Sequence, residues 1–232
     1  MSHALIVVDL QNDFVAKGGY YDRKEKLGSI VGNAVERDDL AEPSTPRAYD
    51  LRRPELAPVI DRISAAIMRA RQLGWPIAFV LAEYGPDFDS RPGFLVKSPP
   101  TRCDYPCKPG TWGAGPIEPM LAHLSSAGQK NGNEIVLRKH TLDGFADTEL
   151  TDFLSARGVE SVCVCGVETD ACVLATAIGA SRRFVSVILE DCSWTSTANG
   201  ASALKIFENA FGLVRSWSAA IEQYYRGLRS ES

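Results

Sequence analysis

The chain has 232 residues, of which 45% are hydrophobic and 23% are charged, so it can bury a core without disulfide or metal staples. Its net charge of −4 shows no excess of basic residues of the kind that binds nucleic acid. No stretch approaches the roughly 18 consecutive apolar residues of a membrane span. Because the first residues lack the basic leader and cleavage site of a signal peptide, we expect a cytoplasmic protein with reduced cysteines and no membrane partner.

Apolar runs rich in β-branched residues alternate along the chain with segments that repeat apolar residues at helical spacing. The apolar runs predict six strands, at Ala4–Val8, Ile77–Leu81, Glu134–Leu137, Ser161–Cys165, Val185–Leu189 and Leu213–Arg215. The amphipathic segments predict helices at Pro58–Leu73, Ile117–Ala127, Thr148–Arg157, Thr169–Ser181, Ala198–Phe211 and Ser218–Leu228. Glycine directly follows the first three of these helices, as is common where helices end.

Near-continuous apolar strands that alternate with helices are typical of a parallel sheet covered on both faces. Because crossover connections are right-handed, the pattern predicts a doubly wound three-layer α/β/α domain with a mostly parallel six-stranded sheet. We expect residues 1–232 to form a single domain. Two connections, about 17–53 and 83–115, are too long to be simple turns, and both follow the carboxyl ends of strands, where such folds bind ligands. We therefore interpret them as lids.

Three side chains of different chemistry follow the carboxyl ends of predicted strands. Asp9 follows the first strand, Lys139 follows the third, and Cys172 lies in the first turn of the helix after the fourth. Taken singly, such an aspartate is commonly a cap, such a lysine is solvated and such a cysteine belongs to a core. Because the carboxyl ends of parallel strands share one edge of a sheet, we expect an acid, a cation and a thiol to converge there.

This combination suits covalent catalysis by a thiol. The start of a helix and a neighbouring ammonium both favour the thiolate form of Cys172. Asp9 can take the thiol proton and later return it to a leaving amine. Backbone N–H groups around Glu168 and Cys172 can stabilise an oxyanion at the same helix start. The three residues therefore indicate nucleophilic catalysis by Cys172.

Four pieces of the sequence carry a resemblance to a known family, namely D9-L-Q-N-D-F14, P109-G-T-W-G-A114, Lys139 with F145-A-D-T-E-L150, and G166-V-E-T-D-A-C-V-L-A-T-A177. On these pieces the chain resembles the isochorismatase-like cysteine hydrolases over nearly its whole length. The last piece is the most specific, because it combines a strand, a turn and a helix with a cysteine at one offset. The resemblance implies an Asp9–Lys139–Cys172 triad and a cis peptide bond between Val167 and Glu168.

Differences among the subfamilies indicate the class of substrate. Nicotinamidases of this family bind a metal with an aspartate and two histidines after the second strand, whereas residues 81–90 contain no histidine, so we expect no metal and no other cofactor. Isochorismatases proper, which cleave a vinyl ether, typically lack the nucleophilic cysteine. Residues 18–21, 110–113 and 189–193 are closest to ureido-type amidohydrolases such as biuret and ureidoacrylate hydrolases. Those enzymes usually have a glutamine near the end of the last helix, where Glu208 or Asn209 stands here.

Several other residues are candidates for binding a substrate. Asn12 can orient Asp9, contact the substrate or cap a loop. Cys192 is predicted to follow the fifth strand, but no helix begins there, so it is a weaker nucleophile candidate than the cysteine of the triad. Aromatic side chains can wall a small pocket, although they are also common in plain packing, and the candidates are Phe14, Tyr84, Trp112 and Phe145.

We therefore predict a cysteine amidohydrolase that cleaves a C–N bond of a small amide or ureido compound through a thioester on Cys172. Isochorismatase and nicotinamidase activities are the enzymatic alternatives, and a catalytically silent small-molecule-binding protein is the non-enzymatic one. The sequence lacks the glycine fingerprint of a dehydrogenase and the G-x-S-x-G elbow of a serine hydrolase. Because partner subunits can complete a pocket between long loops, we also expect a homo-oligomer, either a dimer or a tetramer.

Overall fold

A computed structural model of the protein describes residues 2–28, 50–85, 105–126 and 132–230. Within these ranges, six strands form one sheet in the order β3-β2-β1-β4-β5-β6. The strands are β1 (His3–Val8), β2 (Ile77–Ala82), β3 (Glu134–Lys139), β4 (Ser161–Val167), β5 (Val185–Trp194) and β6 (Leu213–Arg215). All neighbouring pairs are parallel, so the doubly wound α/β fold is confirmed and the sheet is wholly rather than mostly parallel.

Helices cover both faces of this sheet. They are α1 (Asn12–Val15), α2 (Tyr20–Gly28), α3 (Leu56–Gln72), α4 (Glu118–Ser126), α5 (Leu150–Ser155), α6 (Leu174–Ala180), α7 (Gly200–Ala210) and α8 (Trp217–Ser230). Buried side chains of α3, α4 and α8 share one core with Leu5 and Val7 of β1, and those of α5, α6 and α7 share a second core with Ala4, Ile6 and Val8. Successive residues of a strand point to opposite faces, so the two cores lie on either side of the sheet.

Apolar periodicity accounts for the longest of these helices. In α3, Val59, Ile63 and Ile67 recur at helical spacing and are buried, and full burial of such a side chain contributes about 1.5–3 kcal/mol. Leu73 ends the helix, and Gly74 follows with a φ of +69°, which glycine adopts without a Cβ penalty. Across the described ranges, we find no helix with the length and apolar character that crossing a membrane requires.

Several elements differ from the sequence-based prediction. The helices α1 and α2 were not predicted, and α2 lies inside the connection 17–53. Parts of both long connections, 29–49 and 86–104, fall outside the described residues, so their function as lids stays a prediction. Strand β5 continues past the apolar run to Trp194, because its pairing with β4 resumes after a shift of register, and Cys192 therefore lies within the strand. The helix predicted at 169–181 begins with a π-helical turn before α6.

Gly166 allows β1 and β4 to approach each other closely at the centre of the sheet. A Cβ atom at this position would lie 2.0 Å from the carbonyl oxygen of Val8, and the φ angle is +126°. Glycine tolerates both the contact and the backbone angle because it has no side chain. The residues that follow the two strands, including Asp9, are therefore brought to the point where the winding of the sheet reverses, which is where such folds bind ligands.

Candidate active site

The ends of β1 and β3 and the turn after β4 bring together the acid, the cation and the thiol. Nζ of Lys139 lies 2.8 Å from Oδ2 of Asp9 and 3.2 Å from Sγ of Cys172. The same ammonium donates to the backbone oxygen of Thr141 at 3.1 Å, so each of its three protons has a partner. The side chains of Asp9 and Lys139 are fully buried, and Cys172 is 3% exposed. The three groups thus form one cluster that is shielded from solvent.

Cys172 lies in a π-helical turn rather than in the first turn of an α-helix. The turn spans Thr169–Val173, and the peptide bond before it, between Val167 and Glu168, is cis. The N–H groups of Ala171 and Val173 both donate to the backbone oxygen of Glu168, at 3.1 and 3.2 Å. The backbone oxygen of Glu168 therefore anchors the turn that carries the thiol, through the residues on either side of Cys172. Turns of this type occur frequently at functional sites.

Burial dominates the protonation of the cluster. Burial raises the pKa of Cys172 to about 12, the charge of Asp9 adds to this rise, and the charge of Lys139 opposes it. The expected thiolate is therefore wrong for this state, because desolvation and the carboxylate outweigh the ammonium. Burial lowers the pKa of Lys139, but the charges of Asp9 and Cys172 outweigh it and raise that pKa above its usual value. The result is a neutral thiol beside an ion pair.

Asp9 is placed to exchange a proton with this thiol. Oδ2 of Asp9 is paired with the Lys139 ammonium at 2.8 Å, and the carboxylate also forms a side-chain hydrogen bond with Cys172. Burial raises the pKa of Asp9, and the opposing charge of Lys139 does not cancel the rise. A buried carboxylate has an increased proton affinity, because desolvation disfavours its charged form. The cluster therefore contains both a proton donor and an acceptor suited to it.

Tyr84 is a predicted pocket residue that the structure places beside the thiol. Its hydroxyl oxygen lies 4.0 Å from Sγ of Cys172, and Nζ of Lys139 lies 5.8 Å from the centre of its ring. Burial raises the pKa of Tyr84 well above its usual value, and the charges of Cys172 and Asp9 add to that rise. The phenol therefore remains neutral over the ordinary pH range and can donate a hydrogen bond into the site.

The remaining aromatic candidates lie among other rings or in the loop around the site. Phe14 is buried in the core and stacks on Tyr21 with ring centres 5.5 Å apart. Phe145 is half-buried, and its ring centre lies 5.9 Å from that of Phe184. Trp112 is half-buried in the segment that precedes α4. The two phenylalanines therefore pack against other aromatic rings.

Asn209 does not belong to this site. It is exposed near the end of α7, which runs from the carboxyl end of β5 back to the amino end of β6 because the two strands are parallel. The residue therefore lies toward the edge of the sheet opposite the triad. Glu208 is exposed as well, and it pairs with Arg215 at 3.3 Å. Neither residue replaces the glutamine that the resemblance places near a substrate.

Two polar residues after β1 hold the segments that border the site. Nε2 of Gln11 donates to the backbone oxygens of Ala82 and Ala114 at 2.8 and 2.7 Å, and the N–H of Ala82 donates to its Oε1 at 2.7 Å. Nδ2 of Asn12 donates to the backbone oxygen of Trp112 at 2.8 Å. Asn12 was expected to orient Asp9, contact the substrate or cap a loop, and in the structure its side chain anchors the loop that contains Trp112. The sequence did not single out Gln11, because a glutamine after a strand has no distinctive signal.

Metal ligands were expected to be absent. Within the part of the chain that the structure describes, no group of three or more His, Cys, Asp or Glu side chains is arranged to hold a metal ion. Residues 86–91, which complete the stretch where nicotinamidases place their ligands, fall outside the described ranges. Metal independence therefore stays a prediction based on the absence of histidine from that stretch.

Comparisons with known proteins agree on a family. A model of the isochorismatase domain matches residues 3–219. A ureidoacrylate amidohydrolase of Methylorubrum extorquens is 26% identical over 242 residues, which cover 98% of this chain and 83% of that protein. Among solved structures, the nicotinamidase/pyrazinamidase of Bacillus subtilis is 23% identical, with a TM-score of 0.66 over 93% of this chain and all of that one. The N-carbamoylsarcosine amidase of Thermoplasma acidophilum has a TM-score of 0.62 at 23% identity, over 93% of this chain and 96% of that one.

Proposed function

The chain belongs to the isochorismatase family, and we propose that it is a cysteine amidohydrolase that cleaves a C–N bond of a small amide or ureido compound. The observation that carries the proposal is the position of Nζ of Lys139, within 2.8 Å of Asp9 and 3.2 Å of the Cys172 sulfur in a buried cluster. The similarity to a ureidoacrylate amidohydrolase along almost the whole chain supports this class of substrate.

In the first half of the proposed reaction, Asp9 takes the proton of Cys172 as the sulfur attacks the substrate carbonyl. Lys139 lies between the two and stabilises the negative charge on whichever group holds it. The tetrahedral oxyanion accepts hydrogen bonds from backbone N–H groups around Glu168 and Cys172. When the C–N bond breaks, protonated Asp9 gives its proton to the leaving nitrogen, and an amine or ammonia departs from a thioester.

In the second half, water attacks the thioester carbonyl and Asp9 accepts a proton from it. The C–S bond breaks, the proton returns to the sulfur of Cys172, and the acid is released. The sum is one amide and one water converted into one amine and one acid, so the reaction consumes no oxidant, reductant or metal. The raised thiol pKa favours this proton transfer from a neutral cysteine over a standing thiolate.

The test is a panel of primary amides, ureides and nicotinamide, assayed for release of ammonia by the wild-type protein and by Cys172→Ser. We expect the serine variant to lose at least about a hundredfold in rate, because a hydroxyl is a far poorer nucleophile than a thiol at neutral pH. Cys192→Ser is the matched control, since that thiol is also buried but lies within β5, outside the triad. Mass spectrometry of a quenched reaction should show an acyl adduct on the peptide that contains Cys172.

The opposite results would overturn the proposal. An acyl adduct confined to Cys192, or full activity of Cys172→Ser, would remove Cys172 as the nucleophile. If no compound in the panel is hydrolysed but the compounds protect Cys172 from alkylation, the protein is a binding protein with a silent site.

A further inference from the structure

Arg52 is a buried arginine that bridges three parts of the chain around the candidate active site. Its side chain is fully buried, and Nη2 lies 2.9 Å from Oε1 of Glu168. Its other donors contact Glu25 of α2 and the backbone oxygen of Phe14. The guanidinium also lies over the rings of two aromatic residues, 5.7 Å from the centre of Tyr21 and 5.1 Å from that of Trp194. A planar guanidinium suits both the ion pairs and the stacking.

The carboxylate of Glu168 is held on both of its oxygens. Oε1 pairs with Arg52, while Oε2 accepts the N–H of Ser196 at 2.6 Å and its hydroxyl at 3.2 Å. Burial raises the pKa of Glu168, and the Ser196 hydrogen bond and the Arg52 charge oppose that rise. The sequence indicated a role only for the backbone around this residue, whereas both oxygens of its side chain also have partners.

Contacts therefore run without a gap from Arg52 to the thiol. Arg52 fixes the side chain of Glu168, and the backbone oxygen of Glu168 receives the N–H groups of Ala171 and Val173 on either side of Cys172. A displacement of Glu168 moves the turn that carries the sulfur relative to Asp9 and Lys139. Misplacement by about 1 Å can lower an enzymatic rate by about a hundredfold, so this support bears on the reaction.

We infer that Arg52 is a positioning residue of the proposed hydrolase, which acts through Glu168 to hold the Cys172 turn in register with the rest of the triad. This inference rests on the proposed function. Among the described residues, the polar contacts of the Arg52 guanidinium are with Glu168, Glu25 and Phe14 rather than with the triad, so it acts through another residue. Its loss leaves the Glu168 carboxylate, which is buried, without the counter-charge of the guanidinium.

The chain contains a matched control for this residue. Arg71 forms a comparable ion pair with Glu134, at 2.7 Å for Nε to Oε1 and 2.8 Å for Nη2 to Oε2, with side-chain exposures of 17% and 4%. Glu134 is the first residue of β3, so this pair lies at the amino edge of the sheet, opposite the triad. Removing either arginine breaks a buried ion pair, but only Arg52 is connected to the cysteine.

The experiment compares Arg52→Met, Arg52→Lys, Glu168→Gln, Arg52→Met/Glu168→Gln and Arg71→Met for thermal unfolding, kcat and KM on the best amide of the panel. We expect Arg52→Met to lower kcat by about tenfold or more with KM changed less than about threefold, because orientation rather than binding is lost. The kcat of Arg52→Lys should lie between that of Arg52→Met and that of the wild type. Arg71→Met should lower Tm while kcat stays within about twofold of the wild type.

The double variant separates a positioning role from a loss of folding. Replacing Glu168 with glutamine removes the unpaired charge, so Arg52→Met/Glu168→Gln should recover at least about threefold in kcat over Arg52→Met, a non-additive result. Equal losses of kcat in Arg52→Met and Arg71→Met, or strictly additive effects in the double variant, would overturn the inference. If Arg52→Met does not fold, the same comparison is made between Arg52→Lys and the double variant.

A second readout does not depend on turnover. The rate of alkylation of Cys172 by iodoacetamide at pH 8 should fall at least about threefold in Arg52→Met, because displacement of the turn moves the sulfur away from the Lys139 ammonium that favours the thiolate, and should recover in the double variant. If no amide is hydrolysed by the wild type, the proposed function fails while this alkylation result still tests the contact between Arg52 and the cysteine. An alkylation rate that is the same in Arg52→Met and Arg71→Met counts against it.

Discussion

Replacing Asp9 by asparagine should make the Cys172 thiol more acidic and the enzyme less active. Oδ2 of Asp9 lies 2.8 Å from Nζ of Lys139, which lies 3.2 Å from Sγ of Cys172, so Oδ2 and Sγ are separated by at most about 6 Å. At an effective dielectric constant of about 20, two unit charges no more than about 6 Å apart interact by at least about 3 kcal/mol, or about 2 pKa units. Asp9→Asn should therefore lower the thiol pKa well below its value of about 12.

The assay is alkylation of Cys172 by iodoacetamide between pH 6 and pH 10, with the modified site identified by mass. A fall of about 2 pKa units raises the thiolate fraction at pH 8 by about a hundredfold, and the lower basicity of that thiolate reduces the gain in alkylation rate to about tenfold. Amide hydrolysis should instead fall by about a hundredfold or more, because the proton shuttle is lost. The two measurements thus change in opposite directions.

Asp13→Asn is the matched control. Asp13 is also a buried carboxylate, but it accepts the N–H groups of Tyr20 and Cys107, at 2.8 and 2.6 Å, rather than contacting the triad. Its replacement should leave the alkylation profile of Cys172 unchanged. Slower or unchanged alkylation in Asp9→Asn would refute the charge relationship described here, and retained hydrolysis would refute the proton shuttle.

Three further predictions concern the triad, metals and the sheet. Lys139→Met should raise the pKa of the Cys172 thiol, measured by alkylation against pH. It should also lower the free energy of unfolding in urea by about 3–5 kcal/mol, because Asp9 stays buried without its counter-charge. An unchanged alkylation profile with normal turnover would show that Lys139 only forms a structural ion pair. Hydrolysis should survive exhaustive chelation, because residues 83–91 offer no imidazole, whereas stoichiometric zinc needed for turnover would contradict this. Gly166→Ala should destabilise the fold by more than about 2 kcal/mol in the same urea assay, because its Cβ would meet the Val8 oxygen at 2.0 Å, and a normal midpoint would argue against that contact.

The sheet and the triad could be predicted from the sequence because both follow from one rule. Buried parallel strands can be identified in a sequence because they are apolar runs. Their carboxyl ends meet at one edge of the sheet, so identifying the strands predicts that Asp9, Lys139 and Cys172 lie together. The end of β5 was missed because Glu190 and Asp191 interrupt the apolar run while the backbone continues to pair with β4. Pairing of backbone groups between strands cannot be detected from the hydropathy of the side chains.

Other features of the site depend on tertiary contacts that a single sequence does not encode locally. Arg52 lies in a long connection and acquires its partner Glu168 from 116 positions away. The raised pKa of Cys172 depends on how completely the triad is buried, which a helix-start argument does not measure. Asn209 was assigned to the site by its position in the chain, but the direction of a crossover helix places it at the far edge of the sheet.

The saturation of Lys139 has a consequence for how substrates are chosen. With its three protons donated to Asp9, Thr141 and Cys172, the ammonium has none left for the oxygen or nitrogen of an incoming compound. In the proposed reaction, recognition therefore falls to groups outside the triad, such as the Tyr84 hydroxyl 4.0 Å from the sulfur. The atoms proposed to break the bond and those that select the molecule are then separate sets, so one can diverge through mutation while the other stays fixed.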